Sequence, residues 1–409
     1  MSKNIIQSLL TKGMVALINF LILLVSSRYL GVNSRGEISI FLLNIFFIQV
    51  ISEVYTGYSI IHFIPKYNFR TLFINGIIFA LILCSISNTL VGLLGKQLIG
   101  YGWFGYIVSI LVTVNTFNCV IILGKEKVKM YNLLCFIQPL TLLLGILTLV
   151  LIFKKYTVEA YLFPLLFSFF VAILFSGSVV VRLYRKEKTT NDYSLSSIVK
   201  SGLAYQAGIL MFVFCNRFGY YLMNDTAKVG LYSSAVALTE SILIFATGVS
   251  PILLSTAANI GKNDKTTDMA LSLSKVSLAL GLLGVGILVF LPETLFVFVL
   301  GKGFEGIRHI MLIYSPGVLL MGVFIIISNY FLAIGKQKIV LLSYGLGFIS
   351  TLILAPVLIK KNGVEGAAYS ANIANLVMVL AICSSFIFSN GLTLKRFFSL
   401  KEDYLSLIK

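Results

Sequence analysis

Twelve long apolar runs dominate the sequence, and they limit the possible folds more than any other feature. A helix needs about 20 mostly apolar residues to cross roughly 30 Å of hydrocarbon, so each run is long enough for one crossing. With 58% of residues apolar and only 11% charged, the chain lacks the polar surface of a soluble domain. The sequence therefore predicts an all-α polytopic membrane protein. The predicted spans are 8–29, 37–60, 72–94, 103–123, 131–153, 160–182, 201–223, 229–258, 270–291, 308–334, 339–359 and 364–389.

The positive charges alternate between the two sides of these spans. The chain carries 32 Lys and Arg residues against 15 Asp and Glu. If both termini lie on one side, 21 cations fall on that side and 10 on the other, with Arg217 inside a span. Basic loops favour the cytoplasm, so both termini are expected there. The N-terminus is read as a retained first span rather than a signal peptide.

A polar stretch near the middle of the chain separates the spans six and six. We predict an N-terminal six-helix bundle over 1–184, a cytoplasmic linker over 185–198 and a C-terminal bundle over 199–409. Asn118-x5-Gly124-Lys125 is echoed by Asn329-x5-Gly335-Lys336, which indicates a duplicated unit. Because six is even, the two bundles would share one orientation about a pseudo-twofold axis along the membrane normal, with substrate bound between them.

Several kinds of chemistry lack their sequence signals. The five cysteines lie in apolar stretches without a C-x-x-C motif, and two histidines are too few for a histidine-based metal centre. No Gly-Lys pair is followed by Ser or Thr, so the lysine motif of P-loop ATPases is missing. We therefore expect a secondary transporter with no metal site and no cofactor, rather than an ATPase or another enzyme.

Short motifs along most of the chain carry a family resemblance. They are RYLGVNSRG at 28–36, NR at 216–217, KVGLYSSA at 228–235, Pro251, LGKGF at 300–304 and NGVEGAA at 362–368. In their order and spacing they resemble the polysaccharide flippases of the multidrug/oligosaccharidyl-lipid/polysaccharide (MOP) exporter superfamily, which serve O-antigen, lipopolysaccharide and capsule synthesis. Family members commonly carry Asp near the position of Asn216. Twelve spans rather than fourteen make the chain look less like the peptidoglycan-precursor flippases of that superfamily.

Three cations are candidates for binding the diphosphate of a lipid-linked glycan. Lys12, Arg28 and Arg217 would supply counter-charge wherever the dianion leaves water. Lys12, Asn19 and Ser26 are seven residues apart and would line one polar face of the first span. Alternatively, Lys12 and Arg28 snorkel to the two membrane surfaces, and Arg217 pairs with Glu240.

Two carboxyl groups inside spans are candidates for ion coupling. Glu240 lies about 17 Å into the eighth span, near the midplane, while Glu53 lies towards the cytoplasmic end of the second. Either could bind and release a proton or Na⁺ during alternating access, or could instead be neutralised by a nearby cation, such as Lys12 for Glu53.

Two further polar groups are candidates for binding sugar hydroxyls. Gln49 lies one turn before Glu53, and Asn216 lies one turn before Tyr220, so each pair would share one helix face. Packing hydrogen bonds between helices explain the same pattern equally well.

The resemblance, together with these residues, implies a flippase of the bacterial plasma (inner) membrane that moves a polyprenyl-diphosphate-linked oligosaccharide from the cytoplasmic to the outer leaflet. Coupling would use a H⁺ or Na⁺ gradient or the membrane potential. Expected partners are the lipid-linked oligosaccharide, membrane lipids, and a polysaccharide polymerase with its chain-length machinery, but not nucleic acid. The alternatives are an ion-coupled multidrug exporter of the same superfamily and a membrane polysaccharide polymerase or ligase.

Overall fold

The computed structural model describes residues 2–57, 60–61, 63–64, 69–94, 102–186 and 195–393, which are predominantly helical and contain no β-strand. Two compact units divide the chain at 210/211, inside one helix. Residues 187–194 of the predicted linker lie outside the described part, and the predicted domain boundaries stay a prediction. The helices before and across the division are α1 (Ser2–Thr56), α2 (Phe69–Leu94), α3 (Gly102–Gly124), α4 (Val128–Leu147), α5 (Glu159–Lys186) and α6 (Leu195–Arg217).

The C-terminal unit begins within the last turns of α6. Two short 3-10 helices lie between α-helices of this unit, one at Ser241–Leu243 and the other at Lys302–Phe304. The helices are α7 (Gly219–Leu222), α8 (Thr226–Glu240), α9 (Ile244–Ile260), α10 (Asp264–Phe290), α11 (Glu293–Leu300), α12 (Ile307–Ala333) and α13 (Gln337–Asn390).

The predicted fold class is confirmed. In the described ranges, ten helical segments are long and apolar enough to cross a membrane. Two of them, in α1 and α13, contain a glycine with non-helical backbone angles: Gly31 (φ 79°, ψ 171°) and Gly363 (φ 57°, ψ −126°). Each glycine separates two predicted spans, so the ten segments correspond to the twelve predicted crossings of a multi-pass membrane protein. Positive φ at these positions is readily adopted by glycine and costly for other residues.

Several predicted helix ends need correction. α1 ends at Thr56, just before Gly57, rather than at residue 60. α6 begins at Leu195 rather than 201, because this helix continues into a polar segment that hydropathy alone excludes. The connection after Pro292, between two predicted spans, contains the short helix α11. Pro251 and Pro316 lie inside α9 and α12 without ending them, as membrane helices often tolerate.

Each unit has its own apolar core. In the N-terminal unit, α1 packs against α2 and α4, and its core includes Ile38, Val112 and Ile146. In the C-terminal unit, α12 packs against α8, α9, α10 and α13, and the fully buried Phe331 and Phe386 belong to its core. All five cysteines are free thiols, three of them buried. These cores hold the polar side chains described next.

Candidate functional site

An ion pair lies inside the C-terminal unit. Arg217, the last residue of α6, donates from Nη2 to Oε2 of Glu240, the last residue of α8, at 2.5 Å. The two side chains are only 24% and 20% exposed. The Arg217 guanidinium also lies 5.9 Å from the centre of the Tyr220 ring. The sequence left two roles open for Arg217, a cation that binds the substrate diphosphate or a partner of Glu240. In the structure Arg217 is the partner of Glu240.

A buried hydrogen-bond network surrounds this pair. The Tyr314 hydroxyl lies 3.0 Å from Glu240 Oε1, to which it donates, and 3.3 Å from Asn216 Oδ1. Asn375 Nδ2 donates to the same Asn216 oxygen at 3.0 Å. Asn216, Tyr314 and Asn375 are 4%, 0% and 1% exposed. These five side chains, which we call the C-terminal network, bring the predicted residues Arg217, Asn216 and Glu240 together.

The hydrogen-bonding groups of Asn216 are already engaged. Its Nδ2 donates to the Phe212 carbonyl at 3.1 Å, while its Oδ1 faces Tyr314 and Asn375. Tyr220, the predicted companion of Asn216, is also buried. In this conformation Asn216 therefore stabilises the C-terminal network, and its role in binding sugar stays a prediction.

A second polar cluster lies in the N-terminal unit around Glu53, which is 5% exposed. Gln49 Nε2 lies 2.7 Å from Glu53 Oε1 and 3.1 Å from Thr116 Oγ1 on α3. Gln206 of α6 donates from Nε2 to the Glu53 backbone carbonyl at 3.2 Å. We call Gln49, Glu53, Thr116 and Gln206 the N-terminal cluster. It brings the predicted residues Gln49 and Glu53 together.

The pairing suggested between Lys12 and Glu53 is not found. In the described part of the chain no ion pair joins Lys12 to Glu53, and Lys12 is exposed whereas Glu53 is buried. Two amide side chains surround the carboxyl instead.

The predicted polar face of α1 is accessible along only part of its length. Lys12 and Asn19 are exposed, as is Arg28 further along the helix. Ser26, by contrast, is fully buried and donates to the Leu23 carbonyl at 3.1 Å. Arg35, beyond the break at Gly31, reaches Ser26 with Nη1 at 3.5 Å. Packing between the two halves of α1 therefore buries Ser26. Of the polar face that the seven-residue spacing predicted, Lys12 and Asn19 remain exposed.

Sequence reasoning missed Thr116, Gln206, Tyr314 and Asn375. Each lies in a predicted span, and a polar side chain in a membrane helix is itself a signal of packing or function. Their partners lie on other helices, so spacing along one helix could not have identified them. No group of three or more His, Cys, Asp or Glu side chains that could hold a metal occurs among the residues described.

The fold is similar to that of known membrane transporters. The solved structures similar to this chain include a lipid II flippase and a multidrug resistance transporter of the MOP superfamily, and the similarity extends over nearly the whole chain. At 13–17% sequence identity this likeness concerns the fold. No protein-family model matches the sequence, and no curated protein sequence matches it.

Three structures illustrate the similarity. The lipid II flippase MurJ in an inward closed conformation has a TM-score of 0.75 at 17% identity, covering 100% of this chain and 91% of MurJ. An inward-facing multidrug resistance MATE family transporter gives 0.71 at 15% identity, covering 92% and 94%. The Vibrio cholerae MATE transporter VcmN in its bent form gives 0.63 at 14% identity, covering 97% and 98%. The predicted number of spans made the chain look less like the peptidoglycan-precursor flippases. Its fold is nevertheless similar to that of the lipid II flippase MurJ.

Proposed function

We propose that this protein is a flippase for a polyprenyl-diphosphate-linked oligosaccharide. It would carry the head group from the cytoplasmic to the outer leaflet by alternating access, without making or breaking a bond. The observation that carries the proposal is the fold likeness to a lipid II flippase, which covers 100% of this chain. The motifs shared with polysaccharide flippases, at 28–36 and 362–368 among others, favour a glycan substrate.

The exposed cations of α1 support an anionic substrate. Lys12 and Asn19 lie on one face of the helix and are both exposed, and Arg28 is exposed near the end of the same half. Lys12 has no ion-pair partner among the described residues. A diphosphate needs such counter-charge when it leaves water. Arg217 contributes less net charge because Glu240 neutralises it.

A multidrug exporter is the second candidate. MATE transporters share the fold over 92% to 97% of this chain. An exporter of cationic drugs would need acidic groups facing the substrate. Of the two candidate carboxyls, Glu240 is paired with Arg217 and Glu53 is buried, so the exposed candidate residues favour an anion.

The proposal also includes ion coupling and a cellular setting. A proton or sodium gradient, or the membrane potential, would drive transport, with Glu53 and Glu240 as the candidate coupling groups. The protein would lie in the plasma (inner) membrane with both termini in the cytoplasm. A polysaccharide polymerase and its chain-length machinery would use the delivered glycan.

Leaflet-resolved labelling of a lipid-linked oligosaccharide tests the transport activity. Vesicles containing the purified protein should expose the labelled head group on the opposite leaflet faster than protein-free vesicles. Lys12→Gln should slow this transfer by about tenfold, because it removes counter-charge worth about 1.4 kcal/mol. The matched control is Lys361→Gln, which changes another exposed lysine and should leave the rate unchanged.

Two results would contradict the proposal. Equal rates with and without the protein would rule out flipping of the chosen glycan. Transport of a cationic drug in the same vesicles, without movement of the glycan, would favour the multidrug exporter.

A further inference from the structure

A cleft opens between the C-terminal part of α2 and the start of α3, which lie on the outer side in the predicted topology. Its volume is about 430 Å³, within the range of about 300–1,000 Å³ that is typical of small-ligand sites. The described residues that line it are Asn88, Thr89, Gly102, Trp103 and Tyr106, all of them uncharged. The cleft is therefore separate from the charged residues discussed above.

Trp103 gives the cleft an aromatic wall. It is the single tryptophan of the sequence, and it is 84% exposed. Tyr106, one turn further along α3, meets it edge-on, with ring centres 6.4 Å apart and ring planes at 82°. The electron-rich face of an indole attracts the C–H groups on one face of a pyranose ring. The same face attracts cations, so the polar groups beside it decide which ligand fits.

The Asn88 side chain offers its oxygen as an acceptor of fixed orientation. Both of its amide hydrogens are used, since Nδ2 lies 2.8 Å from the Cys84 carbonyl oxygen and 2.8 Å from Ser109 Oγ. Ser109 in turn donates to the Tyr106 carbonyl at 2.8 Å, so it accepts from Asn88. Among the residues described, none donates to Asn88 Oδ1. That oxygen is left for a donor from outside the protein.

The two hydroxyl groups of the cleft also have their hydrogens engaged. Ser85 donates to the Leu81 carbonyl at 2.8 Å, so the Tyr106 hydroxyl, 2.8 Å from Ser85 Oγ, donates to Ser85. Thr89 donates to the Ser85 carbonyl at 3.0 Å. Both hydroxyl oxygens keep lone pairs for an outside donor, and the indole N–H of Trp103 adds one donor. Such a set suits the hydroxyl groups of a neutral sugar, whereas a phosphate needs cations or several donors.

We propose that this cleft binds a neutral pyranose unit of the carried glycan, with Trp103 as the stacking face and Asn88, Thr89 and Tyr106 as acceptors of sugar hydroxyl groups. Aromatic rings are common at membrane surfaces, but a ring that only anchors a protein in lipid needs no such acceptors. The inference rests on the proposed function for the source of the sugar. It adds a sugar-binding site separate from the cations assigned to the diphosphate.

Intrinsic fluorescence tests the proposal, because the single tryptophan makes it a reporter of this cleft alone. Maltose, lactose and N,N′-diacetylchitobiose, each built of two neutral pyranose rings, would be titrated against the purified full chain in lipid nanodiscs. At least one of them should change the Trp103 emission in a saturable way. Inorganic phosphate and the cation tetraphenylphosphonium should leave the emission unchanged.

Substitutions at exposed positions locate the binding. Thr89→Val removes one acceptor and should raise the dissociation constant of the sugar about threefold to tenfold. The matched control is Thr148→Val, which changes another exposed threonine that donates to the carbonyl four residues earlier but lies outside the cleft. It should leave binding unchanged. Trp103→Ala should abolish saturation transfer from the protein to the sugar protons in NMR.

Three results would overturn the proposal. These are no response to any of the three disaccharides, equal affinity in Thr89→Val and the unchanged protein, and saturation transfer that persists in Trp103→Ala. A response to tetraphenylphosphonium alone would assign the cleft to cations instead. Failure of glycan transfer in vesicles would count against the proposed function and would leave the measured sugar binding standing. Transfer that proceeds without sugar binding in the cleft would overturn this inference alone.

Discussion

The buried carboxyl of Glu53 and the partly buried carboxyl of Glu240 are balanced in different ways. Glu240 in the C-terminal unit meets the Arg217 guanidinium at 2.5 Å, and Tyr314 supplies a further donor. Among the residues described, Glu53 in the N-terminal unit meets the amides of Gln49 and Gln206 and no cation. A carboxylate held by an arginine tends to keep its charge, whereas one held by neutral amides can become neutral by binding a proton. Glu240 is therefore suited to stabilising the fold, whereas Glu53 is suited to gaining and losing a proton.

Breaking the ion pair should give the largest effect. Glu240→Ala leaves the Arg217 charge buried and unpaired, and should lower the free energy of unfolding by about 3–5 kcal/mol. The double variant Arg217→Met/Glu240→Leu should lose less than Glu240→Ala, because no uncompensated charge remains. Thermal and denaturant unfolding in detergent would measure both. If the double variant lost as much stability as Glu240→Ala, or as much as the two single losses added together, Arg217 and Glu240 would not act as a unit.

A smaller loss is expected from Gly57→Ala in the N-terminal cluster. The new methyl group would lie 2.7 Å from the Glu53 carbonyl oxygen, so backbone must shift, at a cost of about 1–3 kcal/mol. Gly281→Ala is the control in the C-terminal unit, where the nearest atom is Cδ2 of Leu319 at 2.7 Å. It should cost less, because the end of a flexible side chain can move aside. The same unfolding measurements apply, and a reversed order would contradict the close approach of Gln206.

Removing single hydroxyl groups should sharpen the difference between the two sites. Tyr314→Phe removes the hydroxyl next to Glu240 and Asn216, and should cost about 1–2 kcal/mol because one acceptor is charged. Thr116→Val removes a neutral acceptor of Gln49 and should cost about 0.5–1 kcal/mol. If Thr116→Val were the more damaging change, the N-terminal cluster would be the more tightly bonded site.

The smallest stability change is expected for Glu53→Gln. The amide is nearly the same shape as the carboxyl, and its oxygen can still accept a hydrogen bond from Gln49, so the free energy of unfolding should shift by less than about 1 kcal/mol. Glu240→Gln is the matched change and should cost more, because it removes the partner of Arg217. A large loss from Glu53→Gln would indicate that the carboxylate charge is needed for folding.

The sequence predicted the membrane fold well because the signal is repeated in every span. Twelve apolar runs recur in the structure with ends shifted by a few residues. One such shift occurs where a helix continues into a polar segment, at Leu195, the start of α6, whereas α1 ends before its predicted end. Hydropathy could not reveal that α11 forms within the connection after Pro292, since eight residues are too short for a span.

The candidate sites were predicted only in part. Arg217, Glu240, Glu53 and Gln49 stand out as polar groups in apolar runs. Their partners come from helices distant in the sequence, as when Asn375 contacts Asn216 at a separation of 159 residues. Which of two plausible partners a charge adopts depends on such tertiary contacts, and this explains why Lys12 and Glu53 are not paired.

The glycines at 31 and 363 have a practical consequence for mapping which parts of the protein face each side of the membrane. Each joins two crossings within one helical segment, with a single non-helical residue between them. Such a turn is too short to accommodate a reporter enzyme or an epitope tag, and an insertion there would disrupt the packing of the neighbouring crossings. Orientation is better probed by attaching a small thiol reagent to a cysteine placed at an exposed position such as Lys154 or Lys361.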